Sequence, residues 1–309
     1  MIFCIGEVLV DEFFDGTIKS CLPGGAPFNV ACNVNAIGKN SAFYGALGCD
    51  ENAKIIKDYA KKEGLNAYFD ELKNKQTTVA RVTLTGGERS FAFIRDNGAD
   101  YTLSVENLKK AYYSATYGCN GKVIAHFGSL MLSEKEGRTF FKKAIDFLKG
   151  EGAIISFDVN YREDIFEDKE ESIKVMKTAV SLSDIVKFGD DELKLLSGKT
   201  DVKSGLSVVI GENQTAVVTF GKDGSMYYRN GKKVFVSSKA VKPVDTTGAG
   251  DAFYSYFLYA RDKNADFKSE EEIIKVLKTA NAYGALATLK KGALGAIATK
   301  EEVEDFLSE

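Results

Sequence analysis

Short apolar runs rich in β-branched residues alternate with amphipathic stretches along most of the chain, a pattern that predicts a parallel sheet covered by helices. Residues 2–5 (Ile-Phe-Cys-Ile) read as a buried strand, and a second apolar run over 8–14 follows Gly6-Glu7. Pro23-Gly24-Gly25-Ala26-Pro27 leads into a small-residue helix over 28–37 that Gly38 ends. Residues 41–48 read as strand and 51–63 as a helix closed by Gly64. The period then drops to two over 77–85 and 89–95, on either side of Gly86-Gly87, which predicts a β-hairpin. A hairpin set among helix-bearing units is a candidate lid.

Alternation resumes with strands over 122–127, 154–158 and 184–188. A capping-box start at Ser133-Glu134-Lys135-Glu136 predicts a helix to Lys149, and Asp190-Asp191-Glu192 opens a short helix. Residues 205–210 are β-branched and read as strand. Strands over 216–220, 226–229 and 233–236 come next, then an apolar helix from 252 to 260 and a long helix from 271 to 290. No repeat, linker or low-complexity tract interrupts the 309 residues.

Composition narrows the chemistry. A net charge of −3 gives no electrostatic footprint for nucleic acid or an anionic membrane. No basic leader precedes the first strand, and no apolar run reaches the ~18 residues of a membrane span. The five cysteines are odd in number and show no C-x-x-C spacing, so they read as reduced thiols, and a cytoplasmic enzyme is the expectation. His126 is the single histidine, which removes His-rich metal sites and leaves it as a strand-end residue satisfied locally. Gly198-Lys199-Thr200 mimics the end of a P-loop, but Leu193 stands where the first glycine is required.

The stretch that organises the rest is Val244-Asp245-Thr246-Thr247-Gly248-Ala249-Gly250-Asp251-Ala252-Phe253. A glycine-rich turn runs into an apolar helix, so unsatisfied amides at the first helical turn converge where the helix dipole is positive. Such a turn holds phosphate, or charge developing on a transferring phosphoryl group. Asp251 beside it is placed to take a proton from an attacking hydroxyl.

This stretch resembles, nearly letter for letter, the C-terminal signature of the ribokinase-like (PfkB) carbohydrate kinases. Gly24-Gly25-Ala26-Pro27-Phe28-Asn29 is similar to the N-terminal signature of the same family in its fructokinase form. The resemblance covers essentially the whole chain, and over residues 205–210 it implies helix where the residue pattern looks strand-like, so that segment stays open. It implies a three-layer α/β sandwich with a mostly parallel sheet, one domain over 1–309, and a small β lid built from about residues 12–22 and 77–96. Asp251 would be the base beside the turn Gly248, Ala249 and Gly250, and the backbone N–H groups of Ala249, Gly250 and Asp251 would hold the transferring phosphate. Asp11, Gly25, Asn29, Phe91, Phe93, Arg95 and Arg162 would contact the sugar. The nucleotide would take Lys187, Thr219, Gly221, Gly224 and Asn281. ATP and Mg²⁺ are implied, the metal through Glu192 and water, although Gly189 stands where relatives carry Asn or Ser. K⁺ is implied beside the anion hole at Asp245 and Thr247. The lid would also pair subunits into a homodimer.

The motifs favour fructose, phosphorylated at its primary hydroxyl. The alternative is 2-keto-3-deoxygluconate, whose carboxylate Arg95 and Arg162 would clamp together, followed by ribose or a nucleoside. A non-catalytic sugar sensor on the same scaffold is the rival from another class. A dehydrogenase lacks any G-x-G-x-x-G after the first strand.

Overall fold

Four consecutive buried apolar residues in the first strand demand cover on both faces, and that demand sets the architecture. The computed structural model describes residues 1–14, 19–85, 88–264, 266–295 and 297–308, by backbone alone at 14, 19, 82–85 and 88–91. β1 (Ile2–Ile5) starts a large sheet, and β2 (Leu9–Phe14) and β3 (Lys19–Gly24) leave it to begin a smaller one. α1 (Ala26–Gly38), β4 (Ser41–Gly48), α2 (Glu51–Lys62) and β5 (Asn66–Leu72) return to the large sheet. β6 (Val79–Thr85) and β7 (Glu88–Ile94) complete the small one.

The chain continues through α3 (Val105–Thr116), β8 (Ile124–Phe127), α4 (Lys135–Gly150), β9 (Ile154–Asp158) and α5 (Lys169–Ser181). Next come β10 (Ile185–Gly189), α6 (Asp190–Ser197), α7 (Val202–Val209), β11 (Thr215–Thr219), β12 (Gly224–Arg229) and β13 (Lys232–Ser237). It closes with α8 (Ala249–Lys263), α9 (Glu270–Ala287) and α10 (Lys300–Ser308).

The large sheet runs β13-β12-β11-β10-β9-β8-β1-β4-β5, parallel from β11 to β5, with β12 and β13 antiparallel. Alternate residues of β1 enter opposite cores. Phe3 and Ile5 pack with the face that holds Phe140, Phe141 and Leu148 of α4; Ile2 and Cys4 pack with Phe28 of α1 and Phe257 of α8. The strand order reverses direction between β1 and β8, and parallel sheets open a crevice beyond the strand ends at such a point. The small sheet, ordered β3-β2-β6-β7, begins from this end of β1.

The structure decides one open reading and departs from two local expectations. Residues 205–210 belong mostly to α7, because Asp201 caps it at the Ser204 N–H (3.0 Å) and buried Leu206 joins the core, outweighing β-branched preference. Ser133 does not cap α4; it ends a 3₁₀ turn and its hydroxyl donates to the Leu130 carbonyl (3.0 Å). The small sheet's strands begin earlier than residue 12 and extend to Gly24, beyond the expected segments. Gly198 is the left-handed cap of α6 (φ 67°), so it ends a helix. His126 is buried with Nδ1 3.1 Å from Ser156 Oγ, and burial lowers its pKa to about 4. Among the described residues no helix is long and apolar enough to cross a membrane.

Candidate active site

The turn before α8 is built by its own side chains. Asp245 is buried and accepts from the Thr247 N–H (3.0 Å) and Thr247 Oγ1 (2.7 Å) through Oδ1, and from the Gly292 N–H (2.9 Å) through Oδ2. Gly248 follows at φ 79°, where a Cβ would stand 2.6 Å from Ala293 Cα, so only glycine fits. Among the described residues, the amides of Gly250 and Asp251 reach no protein acceptor. The Ala249 amide does: it donates to the Thr246 carbonyl (3.3 Å). The expected three-amide anion hole is therefore reduced to the two that follow it, because the tight turn draws the first amide inward.

These groups open on a cavity of about 590 Å³. Its wall includes Glu7, Asp11, Gly25, Asn29, Phe93, Arg162, Lys187, Thr247, Gly248, Gly250 and Asp251, contributed by residues scattered across the whole sequence. Asn29, in the first turn of α1, donates from Nδ2 to Asp251 Oδ2 (2.8 Å) and so orients that carboxyl. Gly25 lies at φ 104°, where a Cβ would come 2.5 Å from the Glu7 carbonyl. Asp11 stands against Gly24, whose missing Cβ would be 2.6 Å from Asp11 Oδ2.

Burial dominates the electrostatics. It raises Asp251 to about 6, with the Asn29 hydrogen bond opposing and the Asp158 charge adding. Asp11 rises to about 7 through burial and then the charges of Asp251 and Asp245, while Arg162 opposes. Glu7 rises to about 8, chiefly by burial. Lys187, on β10, is buried and bonds both oxygens of Asp158 at the end of β9 (2.8 and 2.9 Å). Burial works against its ammonium, yet Asp158 and Glu192 outweigh that and its pKa is raised. A Cβ at Gly250 would lie 3.4 Å from Lys187 Nζ, so this cation sits against the turn with the two free amides.

Arg95 is a correction. It does not line the cavity: Nε and Nη2 clasp Asp100 Oδ2 (3.0 and 2.7 Å), Nη1 donates to Ser133 Oγ (2.6 Å) and Nη2 to the Leu130 carbonyl (3.1 Å). A fully buried carboxylate, Asp100, consumes a guanidinium that the sequence pattern pointed at substrate. Phe93 does reach the cavity and packs with Leu9, Ala80 and Leu130. The side chain of Phe91 lies outside the described residues. Arg162 lines the cavity, exposed, and its guanidinium makes no hydrogen bond among the described residues.

Thr219, Gly221, Gly224 and Asn281 are not among the cavity's lining residues. Two of them adjoin one another: Asn281 Nδ2 donates to the Val236 carbonyl (3.1 Å), and Gly224 pairs with Ser237 on β13. Glu192 is tied down by backbone amides, from Tyr161 to Oε1 (2.8 Å) and from Gly189 to Oε2 (2.6 Å). No group of three acids, histidines or cysteines among the described residues could hold a metal by itself.

Sequence reasoning passed over Glu7 and Asp158. Asp158 had a signal, since it opens Asp158-Val159-Asn160-Tyr161-Arg162 at a strand end, but attention went to the arginine. Glu7 had only its place two residues past β1, and nothing local foretold its burial.

A model of the pfkB family carbohydrate kinases matches residues 18–300. A probable fructokinase-5 of Arabidopsis thaliana is 35% identical, over 99% of this chain and 97% of its own length. The fructokinase of Vibrio cholerae O395, solved with fructose, ADP and a calcium ion, superposes with a TM-score of 0.87 at 33% identity, covering 99% of this chain and 98% of that one. A double mutant of that enzyme, solved with fructose, ADP and a potassium ion, also gives 0.87, at 32% identity, covering 99% and 97%. With full-length matches in sequence and in fold, the chain belongs to the pfkB family of carbohydrate kinases.

Proposed function

We propose that this chain moves the γ-phosphoryl group of ATP to the primary hydroxyl of fructose. The observation that carries the reading is Asp251, half-buried in the cavity wall, oriented by Asn29 and adjacent to two unoccupied amides. In this reading Asp251 takes the hydroxyl proton, the Gly250 and Asp251 amides and the Lys187 ammonium face the transferring phosphate, and Asp11 and Asn29 hold the sugar. Mg²⁺, when bound with the nucleotide, supplies charge neutralisation on the phosphate oxygens, and Glu192 would hold it through water. Gly221, Gly224, Thr219 and Asn281 would border the nucleotide. K⁺ would sit beside the turn at Asp245 and Thr247.

Support for fructose over 2-keto-3-deoxygluconate comes from Arg95, whose pairing with Asp100 removes half of a carboxylate clamp. The small sheet would act as the lid over the sugar and as the dimer contact, since its edge strand β7 leaves Ile94 39% exposed. Light scattering should then read twice the chain mass. The free cysteines suit a reducing, cytoplasmic setting. A panel measuring ATP consumption on fructose, 2-keto-3-deoxygluconate, ribose and adenosine tests the substrate; fructose should give the highest kcat/KM. Repeating it with K⁺ replaced by tetramethylammonium should lower turnover, and an unchanged rate would remove the cation from the reading.

The base works ionised, and its pKa of about 6 places that ionisation in reach of assay. Raising the pH through this value increases the ionised fraction, so kcat/KM should climb about tenfold per unit below about 6 and level above about 7. A flat profile from about pH 5 to 7 would remove Asp251 as the titrating group.

A further inference from the structure

Glu7 is the buried acid for which the reaction above has no use. Its side chain is fully buried, and neither carboxyl oxygen has a hydrogen-bond partner among the described residues, yet it belongs to the cavity wall. The backbone makes room for it. A Cβ at Gly128, just past β8, would come within 2.6 Å of Glu7 Oε1 and closer still to Oε2, so the carboxyl fills the place of a side chain at 128. It therefore stands at the β1–β8 switch point, where the crevice of a parallel sheet takes its ligand.

A buried polar group left unpaired costs about 1–3 kcal/mol, so such groups persist where a ligand completes them. A second orphan shares the wall: Asn29 Oδ1 is buried without a donor while its Nδ2 serves Asp251. The cation whose charge acts on Glu7 is no substitute, since Arg95 is committed to Asp100, Ser133 and the Leu130 carbonyl. Unpaired polar atoms at Glu7, a carboxyl that burial keeps largely protonated at neutral pH, and at Asn29 Oδ1, with Asp11 beside them, call for a ligand rich in hydroxyls and, with Arg95 spent on Asp100, without a carboxylate at that end.

We propose that Glu7 is a sugar-contacting, specificity-determining residue that hydrogen-bonds a hydroxyl other than the one phosphorylated, selecting neutral polyols over deoxy sugars and sugar acids. This rests on the kinase reading for the identity of the cavity's occupant, and the test separates the two. Binding is followed by the sugar-induced rise in Tm, without ATP, for fructose and its monodeoxy analogues, on the wild-type chain and on Glu7→Gln and Glu7→Leu.

One monodeoxy analogue should bind the wild-type chain about tenfold to a hundredfold more weakly than fructose, and Glu7→Leu should erase that difference while keeping its response to ADP with Mg²⁺. Glu7→Gln keeps shape and hydrogen-bonding atoms and should retain folding and most discrimination, so it carries the test if the leucine variant is unstable. Undiminished discrimination in Glu7→Leu overturns the proposal, as does fructose affinity unchanged in both variants. Should wild type bind a polyol in a Glu7-dependent way yet phosphorylate none of the panel, the kinase reading fails and the role of Glu7 stands.

Discussion

Asp251→Asn should lower kcat by about 10²- to 10⁴-fold, the range that positioned general bases contribute. The change is nearly isosteric, and the one bond fixing the side chain can survive it. Asn29 donates from Nδ2 to Asp251 Oδ2, and the amide oxygen of the new asparagine can accept that same bond. Sugar affinity should therefore stay within a few-fold of wild type, because Asp11, Asn29 and the remaining wall are untouched. Initial rates at saturating ATP, with sugar binding read separately by calorimetry, give both numbers. Turnover within about tenfold of wild type would show that another group takes the proton. So would a kcat loss matched by an equal loss of sugar affinity, which would reduce Asp251 to a binding contact.

Lys187→Met should cost about 3–5 kcal/mol of stability, as breaking one partner of a buried ion pair does. Lys187 and Asp158 are both buried, and removing the ammonium strands a carboxylate in the core beneath the anion hole. Urea midpoints read the loss. Adding Asp158→Leu should recover most of it, since the penalty belongs to the unpaired charge and not to the missing pair. Activity should not return in the double variant, because the cation that faces Gly250 is gone. A single variant within about 1 kcal/mol of wild type would mean Asp158 is solvated or otherwise paired. Recovered activity in the double variant would show that Lys187 has no part in phosphoryl transfer.

The order of strands and helices was readable because each buried strand of a parallel sheet needs cover on both faces, and runs such as Ile2–Ile5 leave few alternatives. The turn at Gly248 was readable because its constraint is local: φ 79° excludes a side chain. Legibility stopped where two local signals competed. β-branched residues argued for strand over 205–210, but the Asp201 cap and the burial of Leu206 argued for helix, and packing decided. Arg95 failed for a different reason. Its pattern placed it near the cavity, and nothing in the surrounding residues announced that Asp100, five positions later, would fold back to hold it.

By itself the sequence determined the alternation of elements, the glycine turn and the acid beside it, since each depends on residues a few positions apart. Only the tertiary structure decided which charges are spent and which remain. Asp158 is taken by Lys187 and Arg95 by Asp100, while Glu7 and Asn29 Oδ1 keep unpaired atoms in the cavity wall. The physical reason is that a side chain's chemistry follows its desolvation and its partners, and both are supplied by residues distant in the chain.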